Sequence, residues 1–497
     1  MLKQSKEILI IENNIKKTNE QKLIKHKIKN WRIKKQKLYK NMIFQKLIKG
    51  NEILLNIKKD IIKNNNLNKS NTFLLFIFIP IFFFSCLTKN IKKEKLISNN
   101  EISLLINGNS SPIILNENIE KPSQIYLNNV PQSTVNYSLS DLNSGTNTIR
   151  IIWDSPITNC NAMFKSLKNI IFVDLSNLDS SKVTSMSEMF YNCLTLTSIN
   201  FNNFDTSGVT DMRSMFFECR KLNPLDLTNF NTSSVIHMEQ MFFGCNAIKS
   251  LYLNNFNTTS VINMAQMFYW CATLESLEIN HFNTSSVRDM SLMFQECQHL
   301  TSLNISNFDT SSVVDMNNMF YNCYSLTSLD LSNFQTSHVY NMFRMFYQCN
   351  SLKFLDISNF DTSSVENMVE MFYLCKSLKS LDISNFNTAS ISSMSKMFYD
   401  CNSLISLELG NFKTSSVTDM SYMFYNCSSL ISLNFNSFET SLVTNFTEIF
   451  KNIQTSFKYC INDNKESNRL KSQLTSFNIS NCSELCSINT QNKYILE

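Results

Sequence analysis

The 497-residue sequence contains no G-x-S-x-G, no G-x-x-x-x-G-K-S/T loop and no H-E-x-x-H. Their absence removes the nucleophile elbow, the phosphate cradle and the paired zinc histidines that mark hydrolase, nucleotide and metalloprotease chemistry. Histidine is scarce, and His26, His237, His281, His299 and His338 form no repeated or motif-like set. None of the 15 cysteines stands in a Cys-x-x-Cys pair. No apolar run reaches the roughly 20 residues that a membrane-spanning helix needs. The nearest, residues 73–84 (FLLFIFIPIFFF), is shorter and carries Pro80. Cofactors, metals and catalysis are therefore not expected.

Charge is divided rather than lacking. Residues 1–97 hold 23 Lys+Arg against 6 Asp+Glu, which leaves 22 against 34 in residues 98–497. The basic head (residues 1–72) is diluted with Asn and Ile and carries no nucleic-acid motif, so a nucleic-acid partner is not expected. The apolar run of segment 73–86 has the length of a secretory-signal core. Ser85-Cys86 loosely resembles a bacterial lipoprotein cleavage box, with Phe83 in place of the usual Leu-like residue, which makes Cys86 a candidate lipidation site. The long head in front is unusual for a signal and points to a later translation start, a signal-anchor or a buried segment. The expectation is export, with a mature chain beginning near Cys86, or membrane anchoring through residues 73–86.

What the sequence has in abundance is one repeat. Ten cysteines, Cys193 through Cys427, recur at a constant 26-residue interval. Met186 through Met420, Phe190 through Phe424 and Phe204 through Phe438 keep the same step. A unit such as LTSLDLSNF (residues 326–334) sets Leu329 and Leu331 on one face of a short strand and Asp330 on the other. A polar turn such as Asn307–Ser312 follows. Val313, Met316, Met319, Phe320 and Cys323 are then spaced by three and four, as on one face of a helix. Ser312 and Asp315 have the spacing of a helix capping box. Each coil is thus expected to be strand, turn, short helix, turn. About eleven such coils (residues 163–450) would form an α/β solenoid, with helices 8–10 Å apart on one side. The parallel sheet would line the shorter, concave side. A strand-rich cap (99–162) and a Cys-bearing cap (451–497) are expected to close the ends.

The motifs NFDTSSV (Asn307–Val313), MF-x-x-C (Met319–Cys323) and SL-x-S-L-D-L (Ser325–Leu331) resemble the BspA-like leucine-rich repeat family and the related lipoprotein-associated repeats of mycoplasmas. The likeness runs from about Met163 to Phe450. It implies a surface-exposed or secreted protein, in some members an adhesin binding host or matrix proteins. Phe334 occupies the usual Asn position of a leucine-rich repeat, with Asn333 one residue earlier, so the common asparagine ladder is not assumed.

The cysteine column suits buried core thiols, too far apart on helix ends for disulfides between neighbouring coils. Cys460, Cys482 and Cys486 leave room for one disulfide and an odd thiol. The candidate ligand-binding residues lie between the two apolar positions of the strands: Asp226, Tyr252, Glu278, Asp330, Asp356, Asp382 and Glu408, in a column that also includes Asp174, Asn200, Asn304 and Asn434. Such a stripe either keeps the sheet solvated or attracts a basic protein surface; calcium is the weaker alternative. The leading expectation is a monomeric, non-catalytic cell-surface or secreted module that binds an extracellular, host or matrix protein with its concave sheet. The alternatives are an extracellular carbohydrate-active β-solenoid enzyme, distinguishable by low helix content, and an intracellular leucine-rich-repeat scaffold.

Overall fold

The computed structural model describes residues 100–108, 113–461 and 468–480, all within one compact unit, Ser98–Glu497. Residues 1–99, which carry the basic head, the 73–86 segment and Cys86, lie outside the described residues, as do Cys482 and Cys486. Among the described residues no helix is long and apolar enough to cross a membrane.

The chain first builds an antiparallel sheet. Strand β1 (Glu101–Asn107) lies between β4 (Thr146–Ile152) and β5 (Ile170–Asn177), and β2 (Gln124–Leu127) joins β4 to β3 (Val130–Pro131). From β5 onward the pairing is parallel. Strand β5 pairs with β6 (Ser198–Asn200), β7 (Ser250–Tyr252) with β8 (Ser276–Glu278), and β9 (Ser328–Asp330) with β10 (Phe354–Asp356). The last sheet runs through β11 (Ser380–Leu381), β12 (Ser406–Leu407), β13 (Ser432–Asn434), β14 (Lys458–Cys460) and β15 (Asn478–Ile479). Residue partners are 26 apart between repeats, as in Leu329↔Leu355. Strand pairing is interrupted between β6 and β7, where Pro224 stands at the strand-start position, and again between β8 and β9 and between β10 and β11. The result is a β-solenoid of about 11 turns.

The helices expected in each coil are absent. Among the described residues the only α-helix is α1 (Asn468–Gln473), beyond the repeats. The segment Met316–Cys323 is instead a chain of tight turns in which Asn318 and Asn322 take positive φ (52° and 58°). Short bonds within the coil, Met319 N–H to Met316 O (3.3 Å) and Tyr321 N–H to Asn318 O (3.1 Å), alternate with bonds to the next coil. The latter are Met316 N–H to Asn341 O (3.1 Å), Asn318 to Phe343 (2.8 Å), Phe320 to Met345 (2.9 Å) and Asn322 to Tyr347 (2.8 Å). A helix would spend these N–H groups on its own carbonyls and would need about 8–10 Å to its neighbour. The stacked rings of Phe294, Phe320 and Phe346 are only 5.7 Å apart. Turns match the spacing of the strands and helices do not. The wide helical layer that would have made the sheet the concave side is therefore missing. The capping-box pair also has other partners: Ser312 Oγ donates to Ser285 O, and Asp315 Oδ1 accepts from Asn317 N–H.

The expected inward face is nevertheless correct, because turns of this kind return side chains to one side at the same spacing. Val313, Met316, Met319, Phe320 and Cys323 are fully buried, and Leu329 and Leu331 join them. Two further columns hold the coils in register. Threonines from Thr206 through Thr440 are buried at every coil. Thr310 is typical: its hydroxyl donates to Gln335 O (2.9 Å) and accepts from Gln335 N–H (2.8 Å). On the outside, Asn333 Nδ2 donates to Ser306 O (2.7 Å) and Asn359 to Ser332 O (2.8 Å), so an asparagine ladder exists one residue from its usual place. His281, standing in that column, puts Nε2 3.0 Å from Leu253 O. The first coil's outward carbonyls are met by the preceding segment, through Asn116 N–H to Met163 O (3.0 Å) and Asn118 Nδ2 to Asn161 O (2.6 Å).

Phe320→Ala is expected to cost about 3–5 kcal/mol, because the packed rings above and below cannot close the gap. Thr310→Val is expected to cost about 1–3 kcal/mol, since it strands both backbone groups of Gln335. Thr310→Ser should lie near the parent protein, and Ser332→Ala, which gives up only the hydroxyl bond to exposed Asp330, should cost about 0.5–1.5 kcal/mol. Urea denaturation of the four variants checks the order; equal midpoints for Phe320→Ala and Ser332→Ala would mean that the faces are misassigned.

Candidate ligand-binding sheet face

Each short strand turns two leucines or their equivalents inward and leaves a polar side chain outward between them. Asp226, Tyr252, Glu278, Asp330 and Asp356 are exposed, while Asp382 and Glu408 are partly buried. Parallel pairing places Tyr252 beside Glu278 and Asp330 beside Asp356. At the ends of the column, Asp174 is buried beside β1, paired with Ser103, and Asn434 is buried beside β14, paired with Cys460. The structure therefore lines the candidate residues up along one surface.

The carboxylates have a local task as well. Asp330 Oδ1 accepts from Ser332 N–H (3.1 Å) and Ser332 Oγ (2.7 Å), closing the turn that ends the strand. Asp226 with Thr228, Asp356 with Ser358 and Asp382 with Ser384 repeat this arrangement. Asn304 does the same with Ser306. Where the residue two further on is neither Ser nor Thr, the column can hold Glu278 (followed by Asn280) or Glu408 (followed by Gly410). Part of the acidic stripe is thus explained by Asx-turns, although one carboxylate oxygen of each Asp remains outside these turn bonds.

The Ser332 hydroxyl and then its N–H hold Asp330 below its ordinary pKa; Ser311 does so for Asp309 and Ser363 for Asp361. Each carboxylate is better bonded when charged in the fold, so its contribution to stability is present above 3.8 and fades as pH falls through the lower folded-state value.

One exposed residue escapes a reading based on the acidic column. Phe354 stands outward in a column that serines hold in the coils around it (Ser276, Ser302, Ser328, Ser380, Ser406) and is 64% exposed. It lies two residues from Asp356 on the same face. Tyr252, 65% exposed, similarly interrupts the acidic column. The signal for Phe354 was its departure from the repeat.

The thiol column does not offer a reactive site. Each Sγ–H donates to a carbonyl of the preceding coil, as Cys323 does to Phe294 O (3.2 Å). Burial pushes the Cys193, Cys271 and Cys375 thiols up to about 12. Cys160 and the column from Cys193 through Cys427 are free, although the helix spacing expected to keep neighbours apart does not exist. Cys460 is held in a disulfide. Among the described residues no group of three or more His, Cys, Asp or Glu is placed to hold a metal ion.

Fold and face together define a repeat β-solenoid with a regular polar sheet surface. The family model described as "Mycoplasma protein of unknown function, DUF285" matches residues 158–276, 238–354 and 342–464. These matches span more than half of the sequence, and the chain belongs to that family. Among curated proteins nothing matches it. Among solved structures it is similar to "Crystal structure of TLR13-ssRNA13 complex", at 14% identity over 63% of each chain, with a TM-score of 0.15. That overlap carries no argument. The chain spans less than two thirds of that molecule's length.

Replacing Asp309, Asp330 and Asp361 with Asn keeps an acceptor for each turn but removes the charge. The triple variant is expected to lose less stability than the parent between pH 6 and pH 3. Urea midpoints at the two pH values test this, and identical losses would rule out these carboxylates as contributors.

Proposed function

We propose that this protein is a non-catalytic, protein-binding solenoid of the cell surface, whose outward sheet face grips an extracellular or host protein through a basic patch. The observation that carries it is the face itself: exposed Asp226, Glu278, Asp330 and Asp356 in one column, with Tyr252 and Phe354 as exposed aromatic anchors. Binding energy in protein interfaces concentrates on a few such aromatics, while surrounding charge steers the approach. The resemblance to BspA-like repeat proteins supports the surface placement.

Low helix content no longer separates this reading from a carbohydrate-active β-solenoid, since the coils are not helical. The acids supply the distinction: Asp226, Asp330, Asp356 and Asp382 recur as rungs tied into the same kind of turn, whereas glycoside hydrolysis needs two carboxyl groups in different environments.

A pull-down from host-cell extract with residues 99–497 identifies the bound protein. With that protein as probe, Asp330→Asn, Asp356→Asn and Asp382→Asn combined with Glu408→Gln are expected to weaken binding and flatten its salt dependence while leaving the fold intact. A folded quadruple variant with unchanged affinity at low salt would move the interface elsewhere. Intact-mass measurement of the protein from its own cells is expected to give a chain beginning near Cys86; a complete basic head on a cytosolic protein would overturn the surface placement.

A further inference from the structure

On the outer side of the turn ladder, one residue after each core phenylalanine, a second aromatic column is only partly buried. Its later half consists of five tyrosines, Tyr321, Tyr347, Tyr373, Tyr399 and Tyr425. Successive ring centroids are 4.5, 4.5, 4.6 and 4.6 Å apart, with planes within 3–11° of parallel. The backbone is pinned at these same residues. Asn322 N–H bonds Tyr347 O (2.8 Å), Gln348 bonds Tyr373 (2.7 Å), Leu374 bonds Tyr399 (2.8 Å) and Asp400 bonds Tyr425 (2.7 Å). The rings are therefore held in register by the ladder as well as by stacking.

We propose that this stack is an oxidative cross-linking site, where a haem peroxidase with hydrogen peroxide couples neighbouring tyrosines into dityrosine and staples adjacent coils. Each of two phenols gives up one electron and its hydroxyl proton, leaving two phenoxyl radicals. The radicals join by one carbon–carbon bond between ring positions ortho to the oxygens. The hydrogen on each joined carbon then moves to oxygen and restores both phenols. Two electrons and two protons leave in all, and one hydrogen peroxide takes them up to become two waters. In dilute solution such coupling waits for two radicals to meet. Holding the rings in contact replaces that encounter with a high local concentration. Partial exposure gives the oxidant and the departing protons access to water.

The earlier half of the same column is a built-in control. There the order is Tyr191, Phe217, Phe243, Tyr269, stacked at 4.2–4.4 Å. The phenylalanines have no hydroxyl to oxidise, and Gln295 separates Tyr269 from Tyr321. No tyrosine in that half has a stacked tyrosine partner.

The test is to treat the dilute full-length protein with hydrogen peroxide and horseradish peroxidase. The expected result is dityrosine fluorescence from protein that stays monomeric on a denaturing gel. Peptide mass spectrometry should find four linkages, 321–347, 347–373, 373–399 and 399–425, each with two hydrogens lost. Tyr373→Phe preserves stacking, as Phe217 and Phe243 show, and is expected to abolish the two linkages through position 373 while keeping the outer two. The inference is overturned by an absence of linkages when free tyrosine couples under the same conditions. It is equally overturned by linkages that map to Tyr191, Tyr252 or Tyr269, by linkages mainly between molecules, or by a pattern that Tyr373→Phe leaves unchanged.

Discussion

The backbone hydrogen bond between one coil and the next, repeated along the turn ladder, is the constraint on which the rest of this structure depends. In each coil alternate N–H groups, such as those of Met316, Asn318, Phe320 and Asn322, point forward to carbonyls 25 residues later. To aim them that way, two residues per coil adopt the left-handed conformation, and nearly all are not glycine. Such residues ordinarily cost about 1–2 kcal/mol each. The ladder offsets this by satisfying, between coils, backbone groups that a buried turn would otherwise leave without partners.

Stacking like on like follows from that ladder. Once coils are fixed at a short, uniform spacing, every position meets its own equivalent above and below. Phenylalanine stacks on phenylalanine, each thiol meets a carbonyl, and the threonine hydroxyl spans the N–H and C=O of one residue in the next coil. The ladder also has polarity, with N–H groups toward one end and carbonyls toward the other. At the beginning, Asn116 and Asn118 supply the donors that a preceding coil would have supplied.

The polar sheet face shows how a repeat can serve folding and recognition with the same atoms. One oxygen of an aspartate closes the strand-ending turn, and the second stays outside that turn bond. Periodicity alone therefore does not distinguish a binding stripe from a structural one. Departures from periodicity do so better: Phe354 among serines, Tyr252 among acids, and the change from phenylalanine to tyrosine along the outer aromatic column.

The sequence by itself determined the period, the coil count, the inward residues and the outward acidic column. Each depends only on which side chains recur at 26-residue steps and on the need to bury the apolar ones together. It carried a signal for the threonine clamp too: Thr is invariant from Thr206 to Thr440, while the next coil's contact residue varies among Asn, Gln, Asp, Lys and Glu. Only the tertiary structure decided that Val313–Cys323 is a turn ladder. A helix and a chain of alternating turns bring residues inward at the same three-and-four spacing, so the pattern does not separate them. The choice belongs to the neighbouring coil, which lies too close for a second helix and presents carbonyls that only outward-pointing N–H groups can meet.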